Sequence, residues 1–149
     1  VGFNAMLSTR IEKSFGIWSA EFTQDRTPAM TAMDRWIDWD KPDFIGKAAA
    51  VSERNGNGPE KIQVTLEIEN GDADASGYEP IWSEAGDMIG FVTSGAFGHT
   101  VNKSLAMALI EPALASVGTH VMVHVVGVER RAKVIAPSPY DPKGMAMRM

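Results

Sequence analysis

The sequence contains no cysteine, which excludes disulfide staples, thiolate metal sites and a cysteine nucleophile. That usage fits a reducing compartment. Histidine is scarce as well, with only His99, His120 and His124 among 149 residues. A tetrahedral metal site built on His120 and His124 would need further ligands that no local spacing supplies. Positive charge is in deficit, with 14 Lys and Arg against 19 Asp and Glu, a net charge of −5. Phosphate backbones are gripped by basic faces, so no nucleic-acid partner is expected. No apolar run approaches the roughly 20 residues of a membrane-crossing helix, and no membrane partner is expected. The opening residues do not read as a signal peptide.

What is present is the make-up of an ordinary globular chain, with 44% hydrophobic and 22% charged residues. The length suits one good core, or a small domain plus part of another. A helical pattern starts almost at once. Phe3, Met6, Leu7 and Ile11 share one face, predicting a helix to Lys13 with Gly16 as its stop. A pattern that begins so close to the first residue reads as a fragment of a longer protein. An irregular stretch over 17–42 holds Trp18, Trp36 and Trp39, three of the four tryptophans. Thr27-Pro28 interrupts any helix there. Residues 34–40 are expected as a short strand, and Asp43 as the N-cap of a helix through Lys47 and Val51. The run NGNGP at 55–59 is the clearest break and marks a domain boundary.

Beyond it the period changes to two. Ile62, Val64, Leu66 and Ile68 alternate with polar residues, giving a strand with one wet face. Residues 70–77 form an acidic, turn-rich loop, residues 80–82 a short strand, and residues 85–87 a hairpin turn. Ile89, Phe91 and Thr93 alternate in the next strand, with a small-residue loop expected around Ser94-Gly95 and Gly98. Leu105, Met107 and Leu109 then alternate with Ala106, Ala108 and Ile110. Both of those faces are apolar, as in a strand enclosed within a barrel or sandwich. Val121, Val123 and Val125 mark another strand and residues 131–136 the last. Six strands in so short a span predict a small antiparallel barrel, jelly-roll-like, after a helical and irregular N-terminal segment.

Few residues carry chemistry. Asp72, Asp74 and Glu79 lack the register of a calcium loop and read as a solvated acidic loop. Ser94 lies outside any nucleophile-elbow pattern and reads as a turn serine. Gly95 and Gly98 are too sparse for a phosphate loop. Arg10, Glu12 and Trp18 are the most suggestive group. Arginine's donor fork suits a planar anion and a neighbouring aromatic can flank a ring. An ion-pair network of Arg10 and Glu12 at the helix end, with Trp18 in the core, is the plainer reading.

The segments TRIEKSFGIWS at 9–19, TPAM at 27–30 and DFIGKAA at 43–49 follow one another in a familiar order and spacing. So do GFVTSG with KSLAMAL, the GTxVxVxVxG strand and PSPYDP at 137–142. Together they resemble the aminomethyltransferase family that includes the glycine-cleavage T-protein. The wording is closest to the C-terminal halves of dimethylglycine and sarcosine dehydrogenase-like proteins. Trp18-Ser19 stands where the T-protein has a tyrosine-glycine pair, and Ala48 where it has a glutamate. Folate-binding proteins of iron–sulfur assembly share the fold but carry a cysteine motif that is absent here.

The resemblance implies a tetrahydrofolate-dependent one-carbon transferase acting on a methylated amine or aminomethyl group. In that family folate sits in a channel among three domains, and the aspartate acting on the amine lies in the N-terminal half. No catalytic residue is therefore expected in this chain. Residues 1–55 would end the folate-binding middle domain and residues 60–149 would form the C-terminal barrel. Arg10 and Trp18 are the implied folate contacts. Any flavin would belong to an N-terminal oxidase domain. The implied partners are the N-terminal domains of the same enzyme and the amine, with self-association expected of the fragment alone. The implied compartment is the cytoplasm, or the mitochondrial matrix in a eukaryote. A non-catalytic docking or structural barrel is the alternative.

Overall fold

A computed structural model describes residues 2–69 and 71–148. Six strands close into a barrel: β1 (Ile62–Ile68), β2 (Pro80–Trp82), β3 (Met88–Gly98), β4 (Lys103–Ile110), β5 (His120–Val125) and β6 (Val128–Ile135). Around the barrel they run β1-β4-β3-β2-β5-β6, every neighbouring pair antiparallel. β2, β3 and β4 form a meander and β1 returns beside β4, a Greek-key arrangement. Closure leaves no strand edge unpaired. The expected six-stranded antiparallel barrel is therefore observed.

The alternation read from the sequence places the core. Val64, Leu66 and Ile68 of β1 point inward and meet Ala106, Ala108 and Ile110 of β4 and Val121, Val123 and Val125 of β5. Ala75, from the β1–β2 connection, closes one end, near the start of β4. Leu114, in a short 3-10 turn at Pro112–Leu114, packs at the other. Each fully buried aliphatic side chain contributes about 1.5–3 kcal/mol relative to exposure. Phe91 is only half-buried. It faces outward on β3, stacked on Tyr78 at 6.4 Å with Arg26 over its ring.

β4 is buried on both faces, as its composition predicts, because helix α1 (Phe3–Glu12) lies on the outside of the barrel. Ile11 packs against Leu105 and Met107 there. The buried stripe of α1 is Ser8, Ile11 and Glu12, not the apolar face of Phe3, Met6 and Leu7. Ser8 and Glu12 can be buried because both are partnered. Ser8 Oγ donates to the Phe97 carbonyl at 2.7 Å. Glu12 accepts from the backbone N–H groups of Thr100 and Val101 at 2.6 and 3.1 Å.

Several local expectations are corrected. α1 ends at Glu12, and its stop residue is Ser14, not Gly16. Ser14 takes φ +52°, Phe15 N–H donates to the Arg10 carbonyl, and Ser14 N–H donates to that of Ile11. This is a Schellman closure with serine in the left-handed position. Ser14 Oγ is held there by Thr65 Oγ1 and by Ser138 N–H. Residues 34–40 hold a 3-10 turn at Asp34–Trp36 instead of a strand. Helix α2 (Lys47–Asn55) is preceded by Gly46 at φ +89°, so Asp43 is not its cap. β6 starts at Val128, earlier than residue 131, because Val126 and Gly127 form a two-residue turn with both φ positive. The small-residue loop expected at 94–98 is strand. The chain reverses only at 99–102, with Asn102 at φ +56°. No helix of the described residues is long and apolar enough to cross a membrane.

Candidate functional site

The site begins with one extra residue in β3. Val92 pairs with Ala108, yet Ser94 pairs with Met107, so Thr93 is a bulge. A bulge reverses the phase of every following side chain. Ser94 and Ala96 consequently face outward beside Met107 and Leu105, under α1, while Gly95 turns inward. Gly95 has to be glycine. A methyl group there would lie 2.2 Å from the Ala75 carbonyl oxygen in the core.

Ser94 thereby meets Glu21, which descends from the turn at 17–22. Ser94 Oγ donates to Glu21 Oε1 at 2.5 Å. Glu21 Oε2 accepts from Ile17 N–H at 2.9 Å and faces Arg10 Nη1 at 3.5 Å. Arg10 Nη1 also donates to the Phe15 carbonyl at 3.0 Å. The Arg10 and Glu21 side chains are 9% and 0% exposed. Burial lowers the Arg10 pKa from its ordinary value, and the charge of Glu21 pulls it back up. Arg10 Nε is buried with no hydrogen-bond partner among the described residues. A buried charged donor left unpaired is costly.

Of the three residues singled out from sequence, Arg10 is at the centre of this cluster. Glu12 is not its partner, because its carboxylate holds the 99–102 turn. Trp18 is not core. It is 71% exposed, in the turn that Glu21 anchors. Glu21 was not singled out in the sequence, and Ser94 was read there only as a turn serine within GFVTSG. A single carboxylate inside the apolar run GIWSAEF was the one available hint.

The other candidates resolve differently. The acidic loop is not simply solvated. Asp72 pairs with Arg130, Asp74 accepts from Ser104 Oγ at 2.6 Å, and Glu79 accepts from Ser76 and Gly77 N–H at 2.8 Å each. Asp72 and Asp74 tie the loop to β6 and β4, and Glu79 closes a turn within it. His120 and His124 are half-buried on the outer face of β5, in register with Lys133 and Glu129. A cleft of about 420 Å³ lies between the N-terminal segment and the barrel, lined by Phe15, Met33, Trp36, Gln63 and Val117 among others. Arg10 does not line it.

Comparison with known proteins gives a consistent picture. Residues 61–141 match the family profile described as the glycine cleavage T-protein C-terminal barrel domain. The chain is 34% identical over 135 residues to the mitochondrial dimethylglycine dehydrogenase of Rattus norvegicus, covering 90% of this chain and 16% of that protein. It is 31% identical over 144 residues to an aminomethyltransferase of Desulfitobacterium hafniense, covering 97% of this chain and 39% of the relative. The crystal structure of glycine cleavage system aminomethyltransferase T from Bartonella henselae superposes with a TM-score of 0.85 at 25% identity. That match covers 95% of this chain and 40% of the other. The chain thus spans from about one sixth to two fifths of the length of these relatives. On the barrel profile and on relatives matched along nearly its whole length, this chain belongs to the glycine cleavage T-protein family.

Proposed function

We propose that this chain is the C-terminal part of a tetrahydrofolate-dependent one-carbon transferase acting on a methylated amine or aminomethyl group. Residues 1–55 end its folate-binding middle domain and residues 60–149 form its barrel domain. Membership of a family whose relatives include aminomethyltransferases and dimethylglycine dehydrogenases supports the reading. The observation that carries it is Arg10, a buried guanidinium with one nitrogen tied to the protein and its Nε without a partner. Such a group fits a carboxylate-bearing planar ligand.

Arg10 holds the anionic glutamate tail or the benzoyl region of folate, and the exposed Trp18 ring flanks the ligand. Tetrahydrofolate supplies the amine that accepts the one-carbon unit. The residues of this chain bind and orient it, and the group acting on the amine comes from an N-terminal domain. Where the amine is oxidised, that step needs a flavin on a further N-terminal domain. The reading places the protein in the cytoplasm, or in the mitochondrial matrix of a eukaryote.

Folate titration of the full-length protein tests this. A charge-assisted hydrogen bond contributes roughly 1.5–3 kcal/mol, so Arg10→Ala should weaken folate binding about tenfold or more. Arg10→Lys should recover only part, because an ammonium lacks the planar fork. Equal dissociation constants for wild type and Arg10→Ala, at matched stability, overturn the assignment.

A further inference from the structure

We propose that helix α2 and the loop before it form a docking face for the rest of the middle domain of the same enzyme, with Ile45 as its anchor. The inference rests on the reading of residues 1–55 as the end of that domain, and it names the surface that joins this end to the remainder. Among the described residues up to 60, Ile11 is the one buried apolar side chain, and residues 64–134 supply the rest. α2 buries none of its nine residues and has no side-chain N-cap bond. A helix that short is marginal in water by itself, because most helical stability in proteins comes from packing an apolar face.

What holds α2 here is polar. Lys47 Nζ donates to the Lys41 carbonyl and to those of Trp39 and Pro42 at 3.4 Å each. Arg54 lies over the Trp39 ring at 4.5 Å, and Thr27 Oγ1 donates to Glu53 Oε1 at 2.9 Å. These ties fix the helix in place and leave its apolar neighbours uncovered. Ile45 is fully exposed, Ala49 is exposed, and Phe44 and Ala50 are half-buried. Two grooves of about 520 and 280 Å³ adjoin the helix. Pro28, Ile37 and Ala50 line both, and Phe44, Ile45 and Ala49 help complete the larger. An apolar surface of this kind, rimmed by polar groups, marks an interaction site.

The occupant follows from chain length. The Desulfitobacterium hafniense relative and the Bartonella henselae structure match 97% and 95% of this chain, while the match covers 39% and 40% of theirs. In both, the segment is continuous with a chain more than twice as long as the matched part. The same stretch carries Asp34, Asp38, Asp40 and Asp43, all exposed and none in an ion pair among the described residues. The surface that meets it is therefore apolar at its centre and basic at its rim.

The test places a photoactivatable benzoylphenylalanine at position 45 of the full-length protein and maps the cross-link by mass spectrometry. The expected product is intramolecular, joining position 45 to residues N-terminal to this chain. A cross-link to a second copy, a cross-link within residues 1–149, or none at all overturns the proposal. A second measurement uses the wild-type protein and so does not depend on that variant folding. Hydroxyl radicals should oxidise Ile45 several-fold more slowly in the folded full-length protein than in urea, and equally so at two protein concentrations. Equal rates in the folded and unfolded protein, or protection that is lost on dilution, overturn it. Folate titration reads the functional assignment separately. Folate binding by wild type without the intramolecular cross-link overturns this inference alone. The cross-link without folate binding overturns the functional reading and leaves the docking face standing.

Discussion

Ser94 pairs with Met107 one position out of phase with the pairing of Val92 and Ala108, and Thr93 is the residue left over. Thr93 Oγ1 donates to the Met107 carbonyl at 3.0 Å, which ties the bulge to β4. Everything outward of the barrel at this point depends on that shift. It gives Ile11 a bed of Leu105, Met107 and Ala96, and it gives Glu21 a donor.

Ser94→Ala should destabilise the fold although it removes a single oxygen. The change leaves the buried Glu21 carboxylate short of one donor. Hydrogen bonds to charged groups contribute roughly 1.5–3 kcal/mol, and chemical denaturation should show a loss in that range. A loss within error of zero would mean that water replaces the hydroxyl.

Gly95→Ala probes the inward side of the same strand. The added methyl meets Ala75 backbone, which cannot swing aside as a side-chain tip can. Overpacking of this kind costs about 1–3 kcal/mol. An unfolding midpoint equal to wild type would refute the close approach.

Two positions on α1 separate the buried face from the one suggested by apolar spacing. Ile11 is 0% exposed and Met6 39%. Ile11→Ala should cost about 2–5 kcal/mol, whereas a surface change such as Met6→Ala should stay within about 0.5 kcal/mol. The reverse ranking in urea unfolding would show that α1 packs by its Phe3–Met6 side.

The clamp between Asp72 and Arg130 predicts an acid transition of the 71–79 connection. The hydrogen bond from Arg130 is the main cause that holds the Asp72 carboxyl below its ordinary pKa, and the charge of Arg130 adds to it. A depressed carboxylate pKa contributes stability that is complete above the unfolded value, about 3.9, and is lost as pH falls through the folded one. The backbone amide chemical shifts of residues 71–79 should therefore stay constant around neutral pH and move only below the usual aspartate range. Asp72→Asn should abolish that acid step. An unchanged step in Asp72→Asn would assign it to another carboxylate.

Much was legible in the sequence because it is written locally. The period-two runs of Val64, Leu66 and Ile68 and of Val121, Val123 and Val125 define inward faces by stereochemistry alone. An apolar residue at every position of 105–110 signalled a strand covered on both sides. The motif order along residues 9–49 carried the family resemblance, and Arg10 came with it. Other features were decided only when distant segments met. A bulge is a property of two strands in register, so the phase of Ser94 could not be read from β3 by itself. Glu21 became the partner of Arg10 because a turn, a helix end and a barrel strand converge, across 73 residues between Glu21 and Ser94. Ser8 and Glu12 lie on the buried face of α1 because β3 and its turn offer them a carbonyl and two N–H groups, partners that no hydropathy pattern on the helix can announce.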